Sequence, residues 1–262
     1  MRAVGLNFRD VMAATGLLLP DAEAEPAWRR LGFECAGVVS AVGEGVDRGW
    51  IDQRVVAVTP GCLASNVAVA VDKIFAIARR LSFASAAAVP VAFATAHYAL
   101  VTLARLKAGE RVLIHAAAGG SGWRRSSIAQ AQSADILATA GSQEKRSYLY
   151  RRGVEHVFDS RSLAFADDVR WKTGGRGVDV VLNSLPGAFL EKSISVLAAG
   201  GRFLEIGKRD IYADTPLGLH ALRNNAAFYA IDLAKLAAEQ PATAEGGDRS
   251  RADGNWRAAS SR

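Results

Sequence analysis

The sequence predicts an α/β protein in two parts: a β-rich stretch of about eighty residues, then a doubly wound parallel sheet. Three observations predict it. Short apolar runs bounded by glycine, proline and aspartate crowd the first stretch. From about residue 110 onward, strand-like runs alternate with helical ones at the spacing of parallel crossovers. At the first crossover, Glu110-Arg-Val-Leu-Ile-His-Ala-Ala-Ala-Gly-Gly-Ser-Gly122 reads as a strand running into a glycine turn and a helix. Such a turn presents backbone N–H groups to a pyrophosphate, and the helix N-terminus favours its negative charge.

In chain order, 37–43, 53–58 and 67–71 are strand-like, and many short strands with frequent turns suggest a small barrel or sandwich. A helix begins at Ser82, is interrupted at Pro90, and continues from Ala92 to Leu106, where Lys107-Ala-Gly109 ends it. Strands are then predicted over 111–116, 135–140, 156–159, 178–183, 202–206 and 226–231, with helices between most of them. Six is the strand count of a complete dinucleotide-binding sheet. After Leu236 the apolar period ends in a polar run of small residues, read as a disordered tail.

Composition narrows the function. The chain has 262 residues, half of them hydrophobic. No apolar run reaches the roughly 18–20 residues of a membrane span. The start, Met1-Arg-Ala-Val-Gly5, lacks a signal-peptide layout, and two cysteines, Cys35 and Cys62, are too few for a disulfide framework, so a reducing cytoplasm is expected. The net charge is +6, but the basic residues are scattered and no nucleic-acid motif accompanies them. Acidic partners stay open, including a phosphorylated cofactor or an acidic carrier protein.

The residues also speak to the cofactor. Gly119, Gly120 and Gly122 are the candidate pyrophosphate-facing positions. The second strand of such a sheet ends at the adenosine ribose, where a carboxylate selects NAD and cations accommodate the extra phosphate of NADP. Here that strand runs into Gly141-Ser142, with Lys145 and Arg146 behind it and no carboxylate at the tip. Ser142 and Lys145 therefore point to NADPH. A helix cap followed by a solvated basic face is the other reading of the same residues.

Six stretches in order carry a resemblance: Gly5-Leu-Asn-Phe-Arg-Asp-Val11, Gly32-Phe-Glu-Cys-Ala-Gly-Val-Val39, His115-Ala-Ala-Ala-Gly-Gly120, Gly141-Ser-Gln-Glu-Lys-Arg146, Gly177-Val-Asp-Val-Val-Leu-Asn-Ser-Leu185 and Gly200-Gly-Arg-Phe-Leu-Glu-Ile-Gly-Lys208. Together they resemble the enoyl reductase domain of modular polyketide and animal-type fatty acid synthases, in the medium-chain dehydrogenase/reductase superfamily. The wording is nearest to mycobacterial synthases of the mycocerosic acid type. The resemblance implies a partial GroES-like barrel over 1–83, a Rossmann NADP-binding domain over 84–236 and a tail over 237–262. It also implies NADPH-dependent reduction of a 2-enoyl thioester on an acyl carrier protein. Lys208 and Asp232 match the family's usual catalytic assignments. The lysine is proton donor or enolate stabiliser and the aspartate orients it; a surface pair of little consequence is the competing reading. Asn7 and Asn183 resemble residues near the nicotinamide, with turn or cap roles as the alternative. Phe33 stands where zinc-dependent relatives carry His, so no metal is expected. The four histidines, His97, His115, His156 and His220, are scattered and suit core or surface places.

Three departures temper the match. Trp123-Arg-Arg125 falls where the dinucleotide pattern needs a small residue, as if from a local frame change. The chain starts inside the expected barrel, and the tail replaces the strands expected after Asp232. The sequence thus reads as a truncated enoyl reductase, working with other synthase domains or chains, with a homodimer expected by analogy. A stand-alone zinc-free quinone oxidoreductase and a non-catalytic remnant or assembly module are the alternatives.

Overall fold

The computed structural model describes residues 1–16, 31–119 and 122–239. It divides into two compact units, one over Met1–Ala94 and the other from Thr95 onward. The first holds a four-stranded antiparallel sheet, in the order β1 (Ala3–Gly5), β2 (Glu34–Val38), β3 (Arg54–Val58) and β4 (Ile74–Ala76). Helix α1 (Phe8–Ala14) follows β1, and α2 (Phe83–Ala87) covers β1 and β2. Gly5 is required by close packing: a Cβ there would lie 2.3 Å from Ala87 O and 2.5 Å from Glu34 Cγ.

Two strand expectations in this unit are corrected. The strand expected over 37–43 is β2, which starts earlier because Glu34 pairs with both Gly5 and Val58. The run 67–71 joins no sheet; β4 takes the place beside β3, with Ile74 opposite Ala57. Val67 and Val69 nonetheless pack on the buried Cys35, Ala57 and Cys62, while Ala68 and Ala70 face out. The two-residue alternation reported burial, and burial needs no ladder partner.

The second unit is built on a six-stranded parallel sheet. Its strands are β5 (Arg111–Ile114), β6 (Asp135–Ala140), β7 (His156–Asp159), β8 (Val178–Asn183), β9 (Leu197–Glu205) and β10 (Ala227–Ala230). They lie in the order β10-β9-β8-β5-β6-β7, and all six predicted strands form. The order reverses between β5 and β8, the switch point at which such sheets bind ligands. Both faces are covered, which explains the continuous apolar runs. Val112, Ile114, Ala138, Val180, Leu182 and Leu204 face one layer, with Leu100, Ala129 from α4 (Gly122–Ala131) and Leu149 from α5 (Gln143–Arg151). Leu113, Leu137, Val181 and Phe203 face the other, with α6 (Phe165–Lys172) and α7 (Ala188–Ser195). Helix α3 (Pro90–His97) continues as a π-helical segment over Tyr98–Leu103 that brings Leu100 to the core.

The Trp123-Arg-Arg125 island does not prevent α4 from forming. The residues that seat it are Gly122, Ser126 and Ala129, all small and all buried. Arg124 and Arg125 lie to the side of that face and are partly exposed. The requirement for a small residue is therefore met one position beyond Arg125, at Ser126. Burial still pushes the Arg125 guanidinium down to about 10. Beyond β10, α9 spans Leu233–Glu239, so helix continues past Leu236, where the apolar pattern broke. The rest of the expected tail lies outside the described residues.

Candidate functional site

Three strand-end features line the C-terminal edge of the six-stranded sheet. The first is the glycine turn. Beyond β5 the chain leaves the strand at Ala116, whose φ of 50° is in the left-handed region and costs about 1–3 kcal/mol for a residue with a Cβ. Its N–H donates to Thr139 Oγ1 at 3.2 Å, which fixes it to β6. Gly119 N–H donates to Ala116 O at 3.0 Å and Gly122 N–H to Gly119 O at 2.9 Å. A Cβ on Gly122 would lie 2.3 Å from Ala117 O, so only glycine lets α4 start here. Gly120 lies outside the described residues.

His115 anchors this turn from below and is fully buried. The Ser193 hydroxyl donates to Phe189 O at 2.6 Å, so its oxygen accepts from His115 Nε2–H at 2.8 Å. Nδ1 then accepts from the Thr139 hydroxyl at 3.0 Å. The ring packs edge-on to Phe165, with centroids 4.9 Å apart. Burial holds it neutral, its pKa pushed down to about 3.

The second feature is the β6 tip. Ser142 caps α5, its Oγ accepting from Lys145 N–H at 3.3 Å, and the Lys145 side chain is exposed. Arg146 is engaged elsewhere, donating to Ala140 O at 3.2 Å and pairing with Asp159 at 3.6 Å. Sequence reasoning missed Arg161. Its backbone N–H donates to Asp159 Oδ1 at 2.8 Å, turning the chain back toward β6. A Cβ on Gly141 would lie 3.1 Å from Arg161 Nε and 3.3 Å from Ser160 Oγ. The guanidinium rests against the Gly141 turn and pairs with no carboxylate among the described residues. The available signal was a cation just past the third strand of a sheet in which the second and third strands are neighbours.

The third feature lies across the switch point, beyond β8, β9 and β10. Because β9 and β10 are adjacent and parallel, with Glu205 beside Ala230, the residues following them meet. Lys208 Nζ donates to Asp232 Oδ2; both side chains are about one-quarter exposed, at 22% and 24%. Tyr212 on α8 (Arg209–Tyr212) donates to the same carboxylate oxygen at 3.4 Å. Asp232 Oδ1 accepts from Lys235 N–H at 3.1 Å, at the start of α9.

Asn183 ends β8 and is fully buried. Its amide nitrogen donates to Leu185 O at 2.9 Å and to Glu205 Oε2 at 2.5 Å, and its oxygen accepts from Leu185 N–H at 3.1 Å. Glu205, a second residue the sequence did not expose, is buried and also accepts from Gly207 N–H, through Oε1 at 2.6 Å. Burial pushes its carboxyl up to about 7 against the opposing hydrogen bonds from Asn183 and Gly207.

Asn7 belongs to the first unit. Its backbone N–H donates to Asp10 Oδ2 at 2.7 Å, at the start of α1, and its side chain to the buried Glu34 Oε1 at 2.9 Å. The second oxygen of Glu34 accepts from Val91 N–H at 2.8 Å. Among the described residues no three His, Cys, Asp or Glu side chains converge on one point. A surface hollow of about 470 Å³ lies against β7 between Tyr150 and Trp171, and the Arg146–Asp159 pair of the second feature forms part of its lining.

Comparison with known proteins shows the family. Residues 1–98 match the family described as alcohol dehydrogenase GroES-like domain, and residues 126–237 match zinc-binding dehydrogenase. A mycocerosic acid synthase-like polyketide synthase of Mycobacterium tuberculosis is 46% identical over 241 residues, covering 92% of this chain and 11% of that protein. The crystal structure of CurK enoyl reductase superposes with a TM-score of 0.84 at 39% identity, covering 93% of this chain and 74% of that one. The chain belongs to the enoyl reductase family of polyketide synthases. The quinone oxidoreductase of Thermus thermophilus, solved also with NADPH, is a more distant member of the superfamily, at 32% identity and a TM-score of 0.74, covering 93% of this chain and 74% of that one. The chain spans about one-ninth of the length of the synthase it matches. Strands β6 to β10 fall within the stretch that matches zinc-binding dehydrogenase, and the four-stranded sheet falls within the stretch that matches the GroES-like domain.

Proposed function

We propose that this chain is an NADPH-dependent enoyl reductase acting on 2-enoyl thioesters presented by an acyl carrier protein. The observation that carries the reading is the Lys208–Asp232 pair, held on the same sheet edge as the glycine turn and on the other side of the switch point. The residues present suit the cofactor. Gly122 lets α4 start directly against the Ala116–Ala117 turn, giving a helix N-terminus of the kind that suits a pyrophosphate, and Ser142, Lys145 and Arg161 surround the turn where the adenosine ribose of a dinucleotide ends. A guanidinium without a carboxylate partner there favours a phosphate, and hence NADPH over NADH.

The bound nucleotide supplies a hydride for the substrate Cβ. The chain's own part is to manage the charge and the proton that follow. As negative charge builds on the thioester oxygen, a nearby ammonium stabilises it, and a donor within hydrogen-bond reach completes the reduction at Cα. Lys208 is assigned this role, with Asp232 and Tyr212 fixing its direction. Asn183, turned inward, shapes the loop beside the nicotinamide rather than offering its amide outward. Asn7, held by Glu34 and Asp10, keeps the cofactor-binding role that the family resemblance implies. The natural partners are an acyl carrier protein, whose acidic surface suits the +6 charge, and the other domains or chains of a polyketide synthase. A second copy of the chain is a further proposed partner.

The test is a turnover assay on the purified chain with NADPH, offering a crotonyl-pantetheine thioester in one arm and a small quinone in the other. The expected result is oxidation of the nucleotide with the thioester and its loss in Lys208→Met. Turnover with the quinone alone would assign the chain to the oxidoreductase branch. Tight NADPH binding with turnover of neither would make it a non-catalytic module.

A further inference from the structure

The Lys208–Asp232 pair is not the only polar construction at this edge. Beneath it lies a carboxyl group for which neither the cofactor nor the substrate has a use. Glu205 is 4% exposed and is the last residue of β9. One oxygen takes the Asn183 amide from the end of β8, and the other takes the N–H of Gly207, the residue before Lys208. Its backbone oxygen accepts from Ile231 N–H at 2.8 Å, the residue before Asp232. Ile206 N–H donates to Asn183 O at 3.0 Å, so the same neighbours are also joined through the main chain. Gly207 is fitted to this arrangement, because a Cβ there would lie 2.6 Å from Glu205 Oε1.

A buried carboxylate is an expensive way to join two loops. An apolar residue at the end of β9 would continue the core of Phe203 and Leu204 without that cost. What the carboxylate adds is direction. It leaves Gly207 N–H one acceptor and Asn183 one orientation, since the Asn183 oxygen is already committed to Leu185 N–H. Resting on the assignment of Lys208 given above, we propose that Glu205 is a positioning residue, clamping the Asn183 turn to the Gly207–Lys208 loop so that the ammonium and the cofactor edge stay in register. Its neighbour Asp210 performs a parallel task one turn later, accepting from Gly187 N–H at 2.8 Å and so tying α8 to the start of α7.

Glu205→Gln separates the clamp from mere space-filling. Glutamine keeps the volume and the acceptor for Gly207, but sets an NH2 group against the NH2 of Asn183. In the pair Glu205→Gln with Asn183→Asp, a donor again faces an acceptor at that contact, while the bond from residue 183 to Leu185 O is given up. The experiment measures turnover per NADPH-binding site on the full chain, with the KM for a crotonyl thioester. Amide hydrogen exchange of the nucleotide-free protein is followed in parallel. Glu205→Gln should bind nucleotide and lose about 10–100-fold in kcat, the scale of a small misplacement, with KM nearly unchanged. Adding Asn183→Asp should recover part of the loss, since it restores the contact with residue 205 but not the bond to Leu185 O. Exchange should rise at Ile206, Gly207 and Lys208 in the single variant and fall back in the pair. An unchanged kcat per site in Glu205→Gln, where Lys208→Met has none, would overturn the clamp. If even the native chain has no turnover, the assignment of Lys208 fails separately and exchange decides: a rise confined to those amides upholds the clamp, and unaltered protection refutes it.

Discussion

The two halves of the six-stranded sheet end in different chemistry. Along β5, β6 and β7 the ends are turns of glycine and serine with the exposed cations Lys145 and Arg161 beside them, whose offer to a ligand is a close approach of the main chain and positive charge. Along β8, β9 and β10 the ends are side chains that hold one another: Asn183 to Glu205 and Lys208 to Asp232. Each half also buries a titratable group near its strand ends, neutral His115 in the first and Glu205 in the second. The difference teaches how one scaffold divides labour. Binding a constant cofactor needs a shape the main chain can supply, whereas steering a proton needs side chains fixed by other side chains.

The largest expected effect belongs to the second half alone. Lys208→Met should lower kcat by roughly 10²–10⁴, the usual worth of a positioned acid, while leaving the dissociation constant for NADPH unchanged. Nucleotide fluorescence and steady-state rates on one preparation check both. Its mirror in the first half is Gly122→Ala. The added methyl meets a backbone carbonyl that cannot move aside, so α4 must shift. We expect loss of nucleotide binding and about 1–3 kcal/mol of stability, read by denaturant unfolding.

Titration should split the halves by sign. His115 has its pKa pushed down to about 3, so the unfolded state takes up a proton first. Its contribution is complete above the ordinary histidine pKa of about 6.5 and is lost as pH falls below it, on the order of 2 kcal/mol by about pH 5. Glu205 runs the other way. Its carboxyl is raised to about 7, so ionisation favours the unfolded state, and stability from this residue falls as pH climbs from about 4.5 toward 7, by a similar amount. Unfolding curves across this range should show His115→Gln flattening the acid limb and Glu205→Gln flattening the neutral one. The smallest effect is at the β6 tip. Arg161→Ala should weaken NADPH about tenfold, the equivalent of one charge-assisted hydrogen bond, and leave NADH alone. Equal losses for both nucleotides would remove Arg161 from the phosphate site.

The same contrast explains what could be read from the sequence. The first half is local: Gly119, Gly122 and Ser142 announce their turns by spacing within a few residues, and six apolar runs announced six strands. The second half is built by contacts across 22 residues, Asn183 to Glu205, and 24 residues, Lys208 to Asp232. Lys208 and Asp232 came only from family resemblance. Glu205 stayed hidden because a single Glu ending an apolar strand is indistinguishable in sequence from a solvent-facing strand residue. Arg161 stayed hidden because its partner, Gly141, has no side chain to mark it. The island at Trp123-Arg-Arg125 misled in the opposite sense, since the face of α4 that meets the sheet passes through Gly122, Ser126 and Ala129. Val67–Val71 misled because its alternation reported burial rather than pairing.

The most direct test of the proposed reaction is isotopic. The full chain would be given NADPH deuterated at its transferable position, with a crotonyl thioester in ordinary water, and the product analysed by mass spectrometry and NMR. The expected product is a butyryl thioester carrying one deuterium at Cβ and a solvent proton at Cα, with Lys208→Met forming little of it despite normal nucleotide binding. A folded chain that binds NADPH yet returns the thioester unreduced, or that forms product equally well without Lys208, would contradict the assignment.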